Sequence, residues 1–254
     1  MKIVSWNIAG AHTFTKEIGD ALSYEKEDLD YFINQLKEQL ADFVLLQEAH
    51  TSEDGKESQA NIIAKELGFG YFENHPYCSS HIKKGQRLTL SNQGRLPIRK
   101  GYFYKLPNPN LEVIRPDGQY WRTFDAGFLV TEVDNNGSII NVVNGHMIPF
   151  HYYNSNFADP KHEPIRDSIT KFFLELSSKP TVIAADFNYE NLRTLLPKIF
   201  VNNLYNEAFE GRETARGKGQ QDHILFSKHF KLQNYEVLKF NADHYICTAT
   251  LELL

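Results

Sequence analysis

The apolar run that begins at residue 180, PTVIAADFNYE, stops abruptly at two polar side chains, Asp186 and Asn188. Side chains alternate between the two faces of a strand, so these two point the same way while Phe187 points back toward a core. A carboxylate beside an amide can hold a cation, a water molecule or a phosphate. An Asx turn that closes an ordinary strand is the alternative interpretation, because Asp and Asn bond readily to their own backbone.

Five other apolar runs are bounded by side chains of the same types. The bounding residues are Asn7, Glu48, His146, Asp222, and Asp243 with His244. Strands packed into common sheets can bring such ends together at one rim, where carboxylate and amide oxygens are hard ligands suited to Mg²⁺ or Mn²⁺. A histidine beside an aspartate is suited to proton transfer or to holding a developing anion. Zinc is a poorer fit, because neither Cys78 nor Cys247 has a ligand-spaced partner.

The periodicity of the sequence supplies the elements that must position these residues. It predicts helices over residues 24–40, 57–67, 163–176 and 191–200. It predicts strands over 2–8, 43–48, 121–133, 139–143 and 180–186, short strands within 69–105, and two final strands that begin at Asp222 and Asp243. An Asn-Asn-Gly turn is expected at 135–137. No linker or repeat interrupts the chain, so the prediction is one domain, 1–254, of packed sheets with helices outside.

The composition is that of a globular protein long enough to bury a large core without disulfide staples. The chain has 254 residues, 41% hydrophobic and 23% charged, and only two cysteines, which lie far apart. The first strand starts directly after Met1, with no signal-peptide pattern, and no apolar stretch reaches the length of a membrane span. We therefore expect a cytoplasmic protein without a membrane span, and favour a monomer.

The net charge of −5 argues against a general nucleic-acid coat protein, which would have to neutralise many phosphates. The segment 76–111 differs from this average, because it contains no Asp or Glu. Its seven basic residues, Lys83, Lys84, Arg87, Arg95, Arg99, Lys100 and Lys105, are interleaved with Tyr77, Tyr102, Phe103 and Tyr104. Such a segment can face a polyanion and stack on its bases, or it can form a loop and hairpin whose charges face water.

Six short motifs together resemble the ordered motifs of the endonuclease/exonuclease/phosphatase superfamily, the deoxyribonuclease I-like fold. They are SWNIAG, LLQEAH, NGHMIP, ADFN, QDHILFS and ADHYICTATLEL, and they run from residue 5 to residue 253. The resemblance implies an α+β protein, a four-layer α/β/β/α sandwich with two mainly antiparallel sheets packed face to face and helices outside. It also implies hydrolysis of a phosphate ester with a divalent cation at one end of the sandwich.

The resemblance further implies a role for each residue of the motifs. Glu48 is similar to the principal metal ligand, Asn7 assists at the metal or phosphate, and Asp243 lies near the metal. Asp186 positions or deprotonates the attacking water, and Asn188 contacts phosphate or water. His244 resembles the catalytic imidazole, oriented by Asp222, and His146 the second histidine of the deoxyribonuclease I branch, which contacts phosphate or protonates the leaving oxygen. The sequence departs from the family pattern at Ala185 and Gln221, both beside these positions.

Three basic residues, Arg212, Arg216 and Lys218, precede Asp222 and can bind substrate phosphate or stand on a solvated loop. Together these features predict a Mg²⁺- or Mn²⁺-dependent phosphoesterase. The acid-free segment favours nucleic acid as the substrate. Inositol phosphates, phospholipid headgroups and other small phosphoesters form the alternative, and a noncatalytic binding module on the same fold is a third possibility.

Overall fold

A computed structural model describes residues 1–14, 25–116 and 118–254. The strands of the first sheet are Lys2–Asn7 (β1), Phe43–Ser52 (β2), Tyr71–Ser79 (β3), Gln86–Gly94 (β4), Phe230–Leu238 (β13) and Ile246–Leu253 (β14). Those of the second are Ile98–Lys105 (β5), Gly127–Asn135 (β8), Ser138–His146 (β9), Thr181–Asp186 (β10), Tyr205–Glu207 (β11) and Asp222–Ser227 (β12). A separate hairpin consists of Glu112–Ile114 (β6) and Tyr120–Arg122 (β7). The helices are Leu29–Glu38 (α1), Gln59–Glu66 (α2), Glu163–Leu176 (α3) and Leu192–Leu195 (α4).

Each large sheet has six strands and one parallel pair near its centre. The first has the order β13-β14-β1-β2-β4-β3, and the second β11-β12-β10-β9-β8-β5. The parallel pairs are β1 with β2 and β9 with β10, and the other neighbours are antiparallel. Helix α1 follows β1 and helix α3 follows β9, as crossover connections between parallel strands require. The predicted sheets are therefore confirmed as mainly antiparallel.

Three apolar cores separate the layers. Because side chains alternate along a strand, Ile3 enters the core between the two sheets and Val4 enters the core under α1 and α2. On the far side of the second sheet, Ile169 and Phe173 of α3 pack against residues of β8, β9 and β10. The order helix, sheet, sheet, helix confirms the predicted four-layer sandwich.

The predicted elements differ from the observed ones mainly at their ends. Helix α1 begins after Asp28, whose carboxylate accepts a hydrogen bond from the backbone N–H of Tyr31. Its predicted start at Tyr24 lies outside the described residues. The predicted helix 191–200 is α4 followed by a 3-10 segment, Pro197–Asn203. The predicted strand 121–133 is divided between β7 and β8, because the backbone of Thr123 bonds to the 108–111 loop instead of a sheet.

The prediction of two final strands was wrong, because β13 lies between them. Its outward residues are polar, and its pairing with β14 shifts between Leu232 and Asn234, so the apolar alternation is interrupted.

The cysteines Cys78 and Cys247 are free thiols, as expected. No helix in the described ranges has the length and apolar character of a membrane span.

Candidate active site

Buried amides join the two sheets directly beneath the polar rim. The Gln47 side chain donates to Asn144 Oδ1 at 2.7 Å, and Asn144 Nδ2 donates to the carbonyls of Leu46 and Ser91 at 2.9 and 3.0 Å. Gln47 precedes Glu48 on β2, and Asn144 lies two residues before His146 on β9. Buried amide groups require such partners, so these bonds fix how one sheet sits on the other. Strand ends from both sheets consequently meet at one site.

Glu48 reaches this site from a β-bulge. The pairing of β2 with β4 shifts between Leu46 and Ala49, and Glu48 has a left-handed backbone with φ of 55°. That conformation costs a non-glycine residue on the order of 1 kcal/mol or more, and such strain collects at functional sites. The bulge turns the Glu48 carboxylate out of the regular pleat and toward the second sheet.

Asn7 connects the carboxylates of the two sheets. Its Nδ2 lies 3.1 Å from Glu48 Oε1 and 3.0 Å from Asp186 Oδ2, and its Oδ1 accepts from the backbone N–H of Ala9 at 3.1 Å. The bond to Ala9 orients the amide so that its nitrogen, the donor, faces both acids. Asn7 therefore holds the two carboxylates together in this structure, and its role at a metal stays a prediction.

The end of β10 combines both interpretations of its sequence. The Asn188 backbone, left-handed with φ of 50°, donates to Asp186 Oδ1 at 2.8 Å, which is an Asx turn. Phe187 is fully buried in the core, as alternation predicts. The Asn188 side chain donates to the Met147 carbonyl at 3.0 Å and lies 3.3 Å from His146 Nε2. The turn thus serves to place Asp186 and Asn188 on the same side.

His244 forms a buried pair with Asp222, with Nδ1 and Oδ2 2.8 Å apart. Its Nε2 lies 3.7 Å from Asp186 Oδ2, and the Trp6 indole donates to its backbone carbonyl at 3.0 Å. Burial acts to lower the pKa of His244, but the surrounding carboxylates of Asp222 and Asp186 outweigh it and hold this pKa well above its usual value. This raised pKa favours the imidazolium form of His244, whose Nδ1–H donates to Asp222 Oδ2.

His146 is neutral in the same site. Burial, followed by repulsion from His244 and His81, lowers the pKa of His146 to about 3. Its Nε2 lies 3.4 Å from Glu48 Oε1, a contact between a neutral ring and an acid rather than an ion pair. The site thus contains one charged and one neutral imidazole, which can perform different proton tasks.

The buried acids have the properties of an incomplete cation site. Burial, with repulsion from Asp243, raises the pKa of Glu48 to about 7, and burial, with repulsion from Asp222, raises that of Asp186 to about 7. Glu48 Oε2 and Asp222 Oδ1 are buried without a hydrogen-bond partner. A divalent cation would satisfy such oxygens and offset the cost of ionising them. The residues therefore fit a hard cation.

A different trio, Asp186, Asp222 and His244, places one ligand atom of each residue within 4.8 Å of the others. Protonation of His244, which its raised pKa favours, would leave only the two carboxylates of this trio as cation ligands. Both sides of the site thus present a buried carboxylate oxygen without a partner, Glu48 Oε2 on one and Asp222 Oδ1 on the other.

The raised pKa values of Glu48 and Asp186 predict that these two carboxyls contribute less to the stability of metal-free protein as pH rises. Each of these carboxyls has a folded-state pKa above its unfolded value of about 4, so its ionisation is less favourable in the folded protein than in the unfolded one. Its contribution to stability is therefore largest below about pH 4.5 and decreases as the pH rises to about 7. The loss is on the order of 3 kcal/mol per group.

Urea unfolding of the native chain and of Glu48→Gln in chelator at pH 5 and pH 8 isolates the Glu48 contribution, because His50, His81 and His146, whose pKa values are lowered by burial, change stability in the opposite direction over this range. We expect Glu48→Gln to gain stability relative to the native chain between pH 5 and pH 8, and millimolar Mg²⁺ to stabilise the native chain at pH 8. An unchanged difference between the two proteins would contradict the raised carboxyl pKa.

The remaining predicted site residues lie at different distances from the centre. Asp243 and Lys218 line the same cleft as Glu48, Asp186 and His244. Asp243 Oδ1 accepts from the His244 backbone at 3.0 Å, and Lys218 Nζ lies 3.2 Å from the Tyr152 hydroxyl. The other two basic residues point elsewhere: Arg216 donates to the carbonyls of Phe240 and Ala242, and Arg212 lines a separate groove beside β13.

The acid-free segment 76–111 does not present its charges as one free surface. Ion pairs to acids outside the segment join Lys83 to Glu27, Arg99 to Asp134 and Lys105 to Asp125. Aromatic rings of this segment are also packed. Phe103 stacks on His75 and Tyr104 stacks on Phe172, and the ring centroids of each pair lie 3.8 Å apart. Lys84 lines the cleft. Three of the seven basic residues of this segment are thus paired with acids, and one lines the cleft.

Sequence reasoning did not assign the walls of the cleft. The cleft has a volume of about 900 Å³, and its outer walls include Trp121 of β7 and Tyr152 of the 3-10 segment Phe150–Tyr153. These two rings meet edge to face at 5.9 Å. Nearer the centre, Phe124 stacks on His146 at 5.5 Å. The sequence around a single aromatic residue in a loop does not show whether the residue lines a cleft, because its position depends on packing against distant segments.

Comparison with known proteins gives a consistent result. A family model described as Endonuclease/Exonuclease/phosphatase family matches residues 4–244. No curated protein matches the sequence. An endonuclease/exonuclease/phosphatase from Beutenbergia cavernae DSM 12333 superposes with a TM-score of 0.73 at 16% identity, covering 99% of this chain and 71% of that one.

Two further solved structures resemble the chain over its full length. The human Nocturnin catalytic domain with bound sulfate anion has a TM-score of 0.66 at 16% identity, covering 100% of this chain and 93% of that one. The Bacteroides thetaiotaomicron VPI-5482 mannosyl-6-phosphatase has a TM-score of 0.65 at 12% identity, covering 100% of both chains. At these identities the likeness shows the fold.

Proposed function

The chain belongs to the endonuclease/exonuclease/phosphatase family, and we propose that it is a phosphoesterase that uses a divalent cation, Mg²⁺ or Mn²⁺. Members of this family are phosphoester hydrolases and commonly use divalent metals. The observation that carries the proposal is the buried meeting of Glu48, Asp186 and the His244 imidazolium where strand ends of the two sheets join. Hydrolysis of a phosphoester requires groups that neutralise the phosphoryl oxygens and orient a water molecule, and carboxylates and an imidazolium are groups of these types.

Glu48 would hold the cation, with Asp243 nearby and Asn7 keeping Glu48 and Asp186 together. When bound, a divalent cation neutralises phosphoryl oxygens and draws electron density from phosphorus. The partnerless Oε2 of Glu48 is the ligand atom we expect to bind it.

The other residues divide the remaining tasks. Asp186 accepts a hydrogen bond from the attacking water, and Asn188 contacts that water or the phosphate. The His244 imidazolium, supported by Asp222, donates to a phosphoryl oxygen and stabilises the charge that develops there. His146, which is neutral, contacts the phosphoryl or leaving-group oxygen.

For the substrate, nucleic acid is the first candidate, supported by the basic side chains Lys84, Arg122 and Lys218 along the cleft. Small phosphoesters are the second. The cleft volume of about 900 Å³ favours them, because it lies within the size range of small-molecule sites. Lys83, Arg99 and Lys105 of the acid-free segment also form ion pairs with acids of this chain. The mannosyl-6-phosphatase with the same fold is named for a small phosphoester.

The test is a hydrolysis screen with and without chelator. Purified protein is incubated with single- and double-stranded DNA, RNA, mononucleotides, sugar phosphates, inositol phosphates and a phospholipid, in Mg²⁺, Mn²⁺ or EDTA. We expect hydrolysis of at least one class, abolished by EDTA and restored by the metal. Hydrolysis that persists in EDTA, or a complete absence of hydrolysis together with no calorimetric binding of Mg²⁺, would contradict the proposal. The latter result would indicate the noncatalytic binding module.

Lys218 should contribute mainly to substrate binding. Attraction to Tyr152 and Asp243 keeps its pKa raised despite the opposing effect of burial, so it remains a cation inside the cleft. Lys218→Met should raise KM about tenfold and change kcat less, because a charge-assisted contact to phosphate is lost in both ground and transition states. Lys239→Met removes a lysine paired with Glu213 outside the cleft and should leave KM unchanged. Equal effects of the two substitutions would show that Lys218 does not contact substrate.

A further inference from the structure

Two β-bulges lie on the two neighbours of β4, at the same level of the sheet. On β2 the shift in pairing falls around Glu48, opposite Leu90, and on β3 it falls at Tyr77, between the partners of Leu88 and Thr89. A bulge turns one side chain away from the regular alternation, and bulges are frequent beside active sites. Here both bulges direct their extra residue toward His146 of the opposite sheet.

Tyr77 makes a short contact with this histidine. Its hydroxyl oxygen lies 2.6 Å from His146 Nδ1, and both side chains are buried. Phe124 packs against both rings, with its centroid 5.3 Å from that of Tyr77 and 5.5 Å from that of His146. The imidazole is thus held by one hydrogen bond and by the ring of Phe124, and its other nitrogen, Nε2, faces the cleft.

The groups around the imidazole decide which nitrogen carries the proton. Nε2 lies 3.4 Å from Glu48 Oε1 and 3.6 Å from Asp186 Oδ2. Both oxygens accept from Asn7 Nδ2, and oxygens that act as acceptors favour an N–H over a lone pair on Nε2. Asn188 Nδ2 lies 3.3 Å from Nε2 and carries a second hydrogen besides the one donated to the Met147 carbonyl, so it competes with the two acids by favouring a lone pair on Nε2. On the other side, His146 Nδ1 is the one hydrogen-bond partner of the buried Tyr77 hydroxyl among the described residues, so the hydroxyl hydrogen is directed to Nδ1.

We propose that Tyr77 is a positioning residue that donates to Nδ1 and so holds His146 with its ring proton on Nε2, ready to donate to an oxygen of the substrate phosphate. The final clause rests on the proposed phosphoesterase function, whereas the proton position does not depend on turnover. A partner on the second ring nitrogen is the usual way in which a protein fixes the tautomer of a histidine.

The first test reads the tautomer directly. Protein labelled with ¹⁵N-histidine is studied by NMR near pH 7, in EDTA and in Mg²⁺, where two-bond couplings between ring protons and nitrogens distinguish the two neutral forms. His146→Gln assigns the signals by their loss. We expect His146 protonated on Nε2 in the native chain and a mixture of both forms in Tyr77→Phe. Protonation on Nδ1 in the native chain, or an unchanged pattern in Tyr77→Phe, would overturn the proposal.

The second test separates positioning from stability. Tyr77→Phe should lower kcat about tenfold with little change in KM, the range seen when a group that orients a catalytic histidine is removed. The matched control is Tyr205→Phe, which removes another buried hydroxyl, bonded at 2.9 Å to the Phe173 carbonyl. It should destabilise the fold similarly, with no effect on kcat or on the His146 tautomer. If Tyr205→Phe lowers kcat equally, the effect of Tyr77 is merely structural.

The two levels of inference fail in different ways. If the native protein hydrolyses no phosphoester in the screen, the proposed function fails, while the NMR pattern still decides whether Tyr77 sets the tautomer. If hydrolysis occurs but the tautomer is insensitive to Tyr77→Phe, the positioning role fails and the function stands.

Discussion

Asp186→Asn should lower kcat by roughly three orders of magnitude, the middle of the range for loss of a group that manages a proton. The substitution keeps the shape of the side chain, and one amide atom can still accept from the Asn188 backbone. Asparagine has only one acceptor oxygen, however. If that oxygen stays in the Asx turn, the new amide nitrogen faces the donors Asn7 Nδ2 and His244 Nε2, which now contact Asp186 Oδ2.

The same substitution should not destabilise metal-free protein at pH 8. Asp186 is fully buried with a pKa raised to about 7, so its ionised form is a cost that the amide avoids. Loss of activity with an equal or higher melting temperature in EDTA would separate a catalytic role from a structural one. Asp125→Asn provides the control, because it removes a carboxylate from a partly exposed ion pair with Lys105 and should leave kcat unchanged. Retention of more than a tenth of kcat in Asp186→Asn would remove Asp186 from the catalytic step.

The sequence was sufficient to predict the layers and many of the residues that meet at the site. Helix α3 was predicted with the bounds observed, because its apolar residues repeat at helical spacing and one face packs on the second sheet. Asn7, His146 and Asp186 end β1, β9 and β10, and Asp222 begins β12, whereas β2 continues past the predicted end at Glu48 to Ser52. The structure brings all five side chains into one site. Strand alternation and strand termination are local properties, which a single sequence records.

Other features depend on contacts between distant segments. Tyr77 was noted only as a ring within the acid-free segment, whereas the structure places its hydroxyl on His146, 69 residues away. The shifts in β2 and β3 have no local signal, since a bulge adds one residue without changing composition. Charge runs were equally uninformative. Lys218 lines the cleft, while Arg212, six residues earlier, lies in another groove.

The second large effect is expected at His244. His244→Gln should lower kcat by roughly three orders of magnitude, because glutamine can donate a hydrogen bond but cannot carry the positive charge held by Asp222 and Asp186. Steady-state kinetics on the substrate identified by the screen measure the loss. His229→Gln is the matched control, since that histidine bonds to Ser227 on the far side of β12 and should retain full activity.

Asp222→Asn should show why the charge, and not only the ring, matters. The variant keeps the imidazole but removes the nearest carboxylate, 2.8 Å from Nδ1, so the pKa of His244 falls. Activity that requires the imidazolium is lost as pH rises through that pKa, so the alkaline limb of the kcat profile should move to lower pH. The fall in kcat should be smaller than that for His244→Gln at low pH and should approach it at high pH. A profile that only decreases in height, with its alkaline limb unmoved, would mean that Asp222 orients His244 without maintaining its charge.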